Sequence, residues 1–131
     1  MDYKKLYEEW LANPYFDENT KAELKAIEKD ENEIKERFYK ELEFGTAGLR
    51  GVIGAGTNRM NIYTVRKTTQ GLANYIAAWA DRPRALPLPM IPAVCHRSLQ
   101  KKQLCLAANG VKAYIFDSLR PTPELSFAVR N

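Results

Sequence analysis

Metal and redox chemistry have little to draw on in this chain, which has one histidine and two cysteines. Cys95, His96 and Cys105 make three candidate ligands without a paired C-x-x-C knuckle, short of a closed zinc site. Two cysteines without a secretory signal do not argue for a disulfide. No apolar run approaches a bilayer span, and MDYKKLYEEW has no apolar signal core, so a cytoplasmic protein is expected, with no membrane partner. A strong excess of one charge is also missing. The net charge is +4, and the basic residues sit among acidic neighbours, so a solvated surface is expected rather than a nucleic-acid partner. Hydrophobic content of 45% excludes a disordered chain, and 131 residues suffice for one core.

Glycine is scarce as well, except in one place. Five of the seven glycines fall between Gly45 and Gly56, inside the stretch FGTAGLRGVIGAGTNRMN at residues 44–61. Each would weaken a core strand or helix, so the stretch reads as a loop that needs positive φ or close approach to something. Thr46, Arg50 and Arg59 alternate with the glycines, and a helix opens after Asn61. Backbone N–H groups, forked guanidinium groups and a helix N-terminus all suit a phosphate. A structural turn region with incidental arginines remains the other reading. Arg59 stands where a dinucleotide loop has its third glycine, and no Gly-Lys-Ser/Thr follows, so neither NAD nor a Walker nucleotide is indicated.

The segments GTAGLRG, GAGTNRMN and TVRKTTQGLANYI, resumed in LAANGVKAYIFDSLRPTPELSFAVR, resemble the first domain of phosphoglucomutases in the α-D-phosphohexomutase superfamily. The resemblance covers most of the chain outside residues 81–105. It implies an α/β fold, here an incomplete three-layer α/β/α domain over residues 44–131, preceded by a helical extension over residues 1–43. It further implies that Thr46, Gly48 and Arg50, with Arg59 and Asn61, lie on the phosphate side of the site. Full-length members interconvert glucose 1-phosphate and glucose 6-phosphate through a phosphoserine, with magnesium and glucose 1,6-bisphosphate. Their serine lies in a Thr-Ala-Ser-His-Asn-Pro-like loop after the Phe-Ala-Val-Arg helix. The sequence ends at Asn131, before any such loop, and neither Ser118 nor Ser126 is followed by His-Asn-Pro. The expectation is a fragment with no turnover and no cofactor of its own, or alternatively a non-catalytic phosphosugar-binding module.

The local pattern predicts the remaining elements. Tyr3, Leu6, Tyr7, Trp10 and Leu11 recur at helical spacing up to Asn13-Pro14. Asp17 caps a second helix with Leu24 and Ile27, and Asp30 with Glu33 forms a capping box before Ile34, Phe38 and Leu42. Residues 49–53 suit a short strand. Residues 63–80 suit a helix burying Val65, Leu72, Ile76 and Ala80, with Ala73 and Ala77 allowing close approach and Gly71 at a tight packing contact. Residues 111–116 read as a buried strand, and Thr122-Pro123-Glu124 opens a helix to Val129.

Residues 81–92 break the pattern, because Pro83, Pro87, Pro89 and Pro92 leave no uninterrupted strand where the fold needs one. The genetic code offers an explanation. Joining the third base of each codon from Pro87 to the first two bases of the next permits IAYDSRRMSPEFAKEAAL, a family-like strand and helix running into LAANG. In that reading two compensating frameshifts bracket the segment, one near residues 82–86 and one near 104–106. A divergent insertion is the alternative. Partial disorder is expected over residues 81–103.

Overall fold

The computed structural model describes residues 2–45, 48–78, 85–88, 104–115, 121, 123–124 and 127. They form a mixed α/β chain in two compact units, Met1–Thr64 and Val65–Asn131.

The first unit begins with α1 (Tyr3–Ala12), α2 (Glu18–Ala26) and α3 (Glu31–Phe38). Each is opened by an aspartate whose carboxylate accepts from the first-turn amides: Asp2 from Lys4 and Lys5, Asp17 from Thr20, Asp30 from Glu33. The proline at 14 disfavours helical geometry at Asn13, which is extended and ends α1. The capping box at Asp30 is half made. The Glu33 amide donates to Asp30, but the Glu33 carboxylate turns to arginines and the Asp30 amide donates to Ile27 O. Helix α3 also stops before Leu42, whose amide donates instead to Thr57 O.

Aromatic rings fill the space between these helices. Trp10 stacks on Phe16 with centroids 4.1 Å apart, while Phe38 and Tyr63 meet Trp10 edge-on at 5.5 and 5.7 Å. Such pairs add about 1 kcal/mol each beyond the area they bury. Tyr7, Leu24, Ile34 and Ala55 complete the core. Ala55 and Tyr63 belong to this cluster, and both lie in the compact unit Met1–Thr64.

Two short strands follow, β1 (Phe44–Gly45) and β2 (Gly48–Leu49), paired antiparallel with Phe44 opposite Leu49 and Gly45 opposite Gly48. The strand expected over residues 49–53 is cut short at Leu49, and Ile53 makes only an isolated bridge with Met60.

Helix α4 (Ile62–Ala78) starts in the first unit and continues in the second. Its buried stripe is Tyr63, Val65, Thr69 and Ala73, whereas Leu72 is 40% exposed. The i, i+4 row through Thr69 is the buried one, and the Thr69 hydroxyl donates to Val65 O, so its burial costs little. Gly71 is not at a tight contact with the described residues: a Cβ built there meets none of their atoms within 4 Å.

In the second unit, β3 (Ala85–Leu88) pairs parallel with β4 (Lys112–Ile115), with Ala85 opposite Lys112 and Leu88 opposite Ile115. A strand therefore does form within the proline-rich segment. Among the described residues β3 has β4 as its one neighbour, and a strand paired on one side tolerates a proline whose missing N–H would face away from the ladder. The rest of residues 81–103 lies outside the described residues, as do Ala80, Phe116 and Thr122. Residues 104–108 are helical and close on Gly110 at φ +72°, with Gly110 N donating to Ala107 O and Val111 N to Leu106 O. That Schellman turn delivers Lys112 directly into β4. Pro123, Glu124 and Phe127 are helical.

Candidate anion site

The glycine-rich stretch splits into a hairpin and a packed return. Gly48, at φ +106°, turns the hairpin into β2, and a Cβ there would meet none of the described residues within 4 Å. Thr46 and Ala47, between the strands, lie outside the described residues. Past Arg50 the glycines serve packing. A Cβ at Gly51 would come within 2.6 Å of Leu42, one at Gly54 within 2.8 Å of Glu23 Oε1, and one at Gly56 within 2.8 Å of Arg37 O.

A cleft of about 440 Å³ opens where the two parts meet, with Lys40, Arg50 and Arg59 among its cations and Glu36 and Glu43 among its anions. The two arginines differ sharply. Arg50 is exposed and makes no ion pair or hydrogen bond among the described residues. Arg59 is buried, and its Nη2 contacts both Glu36 Oε2 and Glu33 Oε1, the latter at 3.2 Å. The hydrogen bond to Glu36, reinforced by its charge, holds the Arg59 guanidinium protonated still more firmly than usual. Both carboxylates reach Nη2, leaving Nε buried without a partner. The Glu33 carboxyl lies below the ordinary carboxylate range, chiefly because Arg37 Nε donates to it at 2.8 Å.

Asn61 does not line the cleft; it holds the return together. Its Nδ2 donates to the carbonyls of Gly54, Gly56 and Arg59 at 2.9, 2.8 and 3.3 Å, and its Oδ1 accepts from the amides of Tyr63 and Thr64, capping α4. The Tyr63 hydroxyl donates to Asp17 Oδ2 and accepts from Asp17 N, and burial raises the Tyr63 pKa.

Of the residues singled out by sequence, the structure brings Arg50 and Arg59 to one cleft and puts Gly48 in the adjoining hairpin. Asn61 is spent on the loop backbone. Sequence reasoning missed Lys40 and Tyr39, where the lysine nitrogen lies 5.6 Å from the ring centroid at the cleft wall, and it missed Glu23 and Arg37. The Glu33/Arg37 pair at i, i+4 was the available signal for the last of these.

Among the described residues no group of three His, Cys, Asp or Glu could hold a metal ion. Glu36 is committed to Arg59, so the cleft does not offer the free oxygen set that magnesium takes. Cys95 and His96 lie outside the described residues, and Cys105 contacts the Gln70 amide oxygen at 3.5 Å. No helix among the described residues is long and apolar enough to cross a membrane.

No family model matches the chain, and no solved structure matches it. Curated relatives do. The phosphoglucomutase of Staphylococcus haemolyticus (strain JCSC1435) is 39% identical over 93 residues, 71% of this chain and 17% of that protein. The phosphoglucomutases of Staphylococcus aureus strains USA300 and COL are 39% identical over 102 residues, 76% of this chain and 18% of theirs. The chain is thus similar to phosphoglucomutases over most of its own length, and it spans less than a fifth of theirs.

Proposed function

We propose that the chain is a fragment of a phosphoglucomutase-like protein whose glycine hairpin and Arg50 receive the phosphate of a phosphosugar. The observation that carries this is the state of Arg50. It is an exposed guanidinium without a protein partner among the described residues, beside a positive-φ glycine, in a cleft whose other arginine is neutralised by two carboxylates. A forked cation held beside an open backbone turn suits a divalent oxyanion.

In this reading Thr46, Gly48 and Arg50 face the phosphate, while Arg59 and Asn61 frame the loop that carries them. The whole protein would be an intramolecular phosphotransferase of the cytoplasm, isomerising glucose 1-phosphate to glucose 6-phosphate with magnesium and a bisphosphate intermediate, on a three-layer α/β/α first domain. In the same reading the chain by itself has no turnover, and two compensating frameshifts account for residues 81–105. The cleft belongs wholly to the first unit, which also favours the second reading, a phosphosugar-binding module without catalysis.

Titration with glucose 1-phosphate, followed by the Gly48 amide signal, tests the site. Saturable shifts that vanish in Arg50→Ala are the expected result; a wild-type chain that shows none at millimolar ligand overturns it. Mutase turnover by the purified chain, read in a coupled assay, would remove the fragment reading. Codons across residues 80–106 that cannot encode the shifted peptide would remove the frameshifts.

A further inference from the structure

Ala55 is held in an unusual way. Its amide donates to Glu23 Oε1 at 3.1 Å, and its carbonyl accepts from Arg37 Nη1 at 3.2 Å. Those two side chains, from α2 and α3, are themselves ion-paired. One guanidinium–carboxylate pair therefore satisfies both polar groups of a single peptide residue that has no strand neighbour among the described residues. Arg37 Nε reaches Glu33 at 2.8 Å, and Glu33 also binds Arg59, so the pair continues as a chain of alternating charges under the return of the loop.

The backbone of Arg37 takes part as well. Its carbonyl accepts from Asn58 N at 2.9 Å, and Gly56 passes so close that a Cβ would lie 2.9 Å from Arg37 Cβ. The strand entering the hairpin is tied to the same place, since Leu42 N donates to Thr57 O. Both ends of the segment carrying Gly48 and Arg50 are thus anchored within a few residues of Arg37, whereas Arg50 itself is unrestrained by any partner among the described residues.

We infer that Arg37 is a positioning residue for the anion site, the centre of a buckle with Glu23 and Glu33 that seats residues 54–58 on α3 and so sets the bearing of Arg50. The inference rests on the phosphate reading of Arg50. Arg37 does not line the cleft and touches no ligand; it acts through the loop. It gives the helical extension a task in the site beyond closing the core, because the carboxylates and guanidinium of the buckle all come from α2 and α3.

The Asn58 amide makes the inference testable, because its acceptor is the Arg37 main-chain carbonyl and survives any side-chain replacement. In Arg37→Lys the charge remains, but a lysine cannot grip Glu23, Glu33 and Ala55 O together. Asn58 N–H is expected to exchange roughly tenfold faster, and glucose 1-phosphate to bind roughly tenfold more weakly with Arg50 in place, while the core methyl signals of Leu24 and Ile34 stay unmoved. If Arg37→Lys disturbs those methyls, Glu23→Gln is read by the same signals, with the same losses expected. Unchanged Asn58 exchange, or faster exchange with undiminished phosphate binding, overturns the buckle. A wild-type chain that binds no phosphosugar overturns the site, and the buckle with it. Wild-type binding retained in full by the intact variant overturns the buckle alone.

Discussion

Gly48 and Gly56 lie eight positions apart in one glycine-rich stretch, and both have positive φ, +106° and +129°, yet their surroundings are opposite. Around Gly48 none of the described residues crowds a Cβ; against Gly56 lies the backbone of α3. The first glycine is needed for how the chain bends, the second also for how closely the chain approaches. A run of glycines therefore does not by itself mark a ligand loop. In this chain the run is divided between an open hairpin, where a ligand could approach, and a return that is full of protein.

Alanine at the two positions separates these roles most strongly. Gly56→Ala adds a collision with Arg37 to the strain of positive φ and should cost about 3 kcal/mol or more, whereas Gly48→Ala carries the strain alone, about 1 kcal/mol. Urea unfolding followed by far-ultraviolet circular dichroism measures both, and equal costs would erase the distinction. The arginines repeat the comparison one step down. Arg59→Ala strips Glu33 and Glu36 of a shared buried partner and should cost about 2 kcal/mol, while Arg50→Ala should stay within about 0.5 kcal/mol and lose only its ligand. A stability loss as large for Arg50 as for Arg59 would show that the hairpin is not open.

Acid should loosen the packed half. Glu33 and Asp17 both titrate below their ordinary values of 4.5 and 3.8, Glu33 chiefly through Arg37 and Asp17 through the Thr20 amide and then Tyr63. Lowered carboxylate values mean that the unfolded chain binds protons first, so the stabilisation is full above about pH 4.5 and is lost as pH falls through the folded values. Tyr7 and Tyr63 lie above 10.0 through burial, so their contribution holds below that pH and fades as alkali rises past it. Thermal midpoints that stay flat from pH 6 to pH 3 would contradict the acid arm. The smallest effect has the opposite sign. Gly71 sits in α4 with room for a methyl group, so Gly71→Ala should stabilise by about 0.5 to 1 kcal/mol, and destabilisation would reveal a neighbour at that face.

What the sequence made legible was local. Asp17 and Asp30 announced α2 and α3 because a cap needs only its own first turn, and the Asn13-Pro14 break ended α1 for a reason contained in two residues. The β-branched and aromatic run beginning at Val111 gave β4 in the same way, but not its expected burial, since Tyr114 is 60% exposed. Choices made between distant partners were hidden. Glu33 stands at capping-box spacing, yet its carboxylate serves Arg37 and Arg59, because two guanidinium groups outweigh one amide. Leu72 fits a helical stripe as well as Thr69 does, and a pattern of apolar residues gives no sign that a threonine with its hydroxyl on the Val65 carbonyl is the one buried. The glycines suggested an anion loop, but that Gly54 and Gly56 press on Glu23 and Arg37 depends on contacts about twenty to thirty residues back. Arg50 and Arg59 are the same residue in sequence; burial against α3 gives one a structural part and leaves the other available.

The partners of the loop also have an order in time. Glu23, Glu33, Glu36, Arg37 and Lys40, which supply its side-chain and main-chain anchors, all precede it in the chain. Protein synthesis proceeds from the N-terminus, at about 5–20 residues per second, so a nascent chain has its cradle complete before the first loop glycine is added. Among the described residues the anchors of the return are complete once Asn61 and Tyr63 emerge from the ribosome, long before β4 is made.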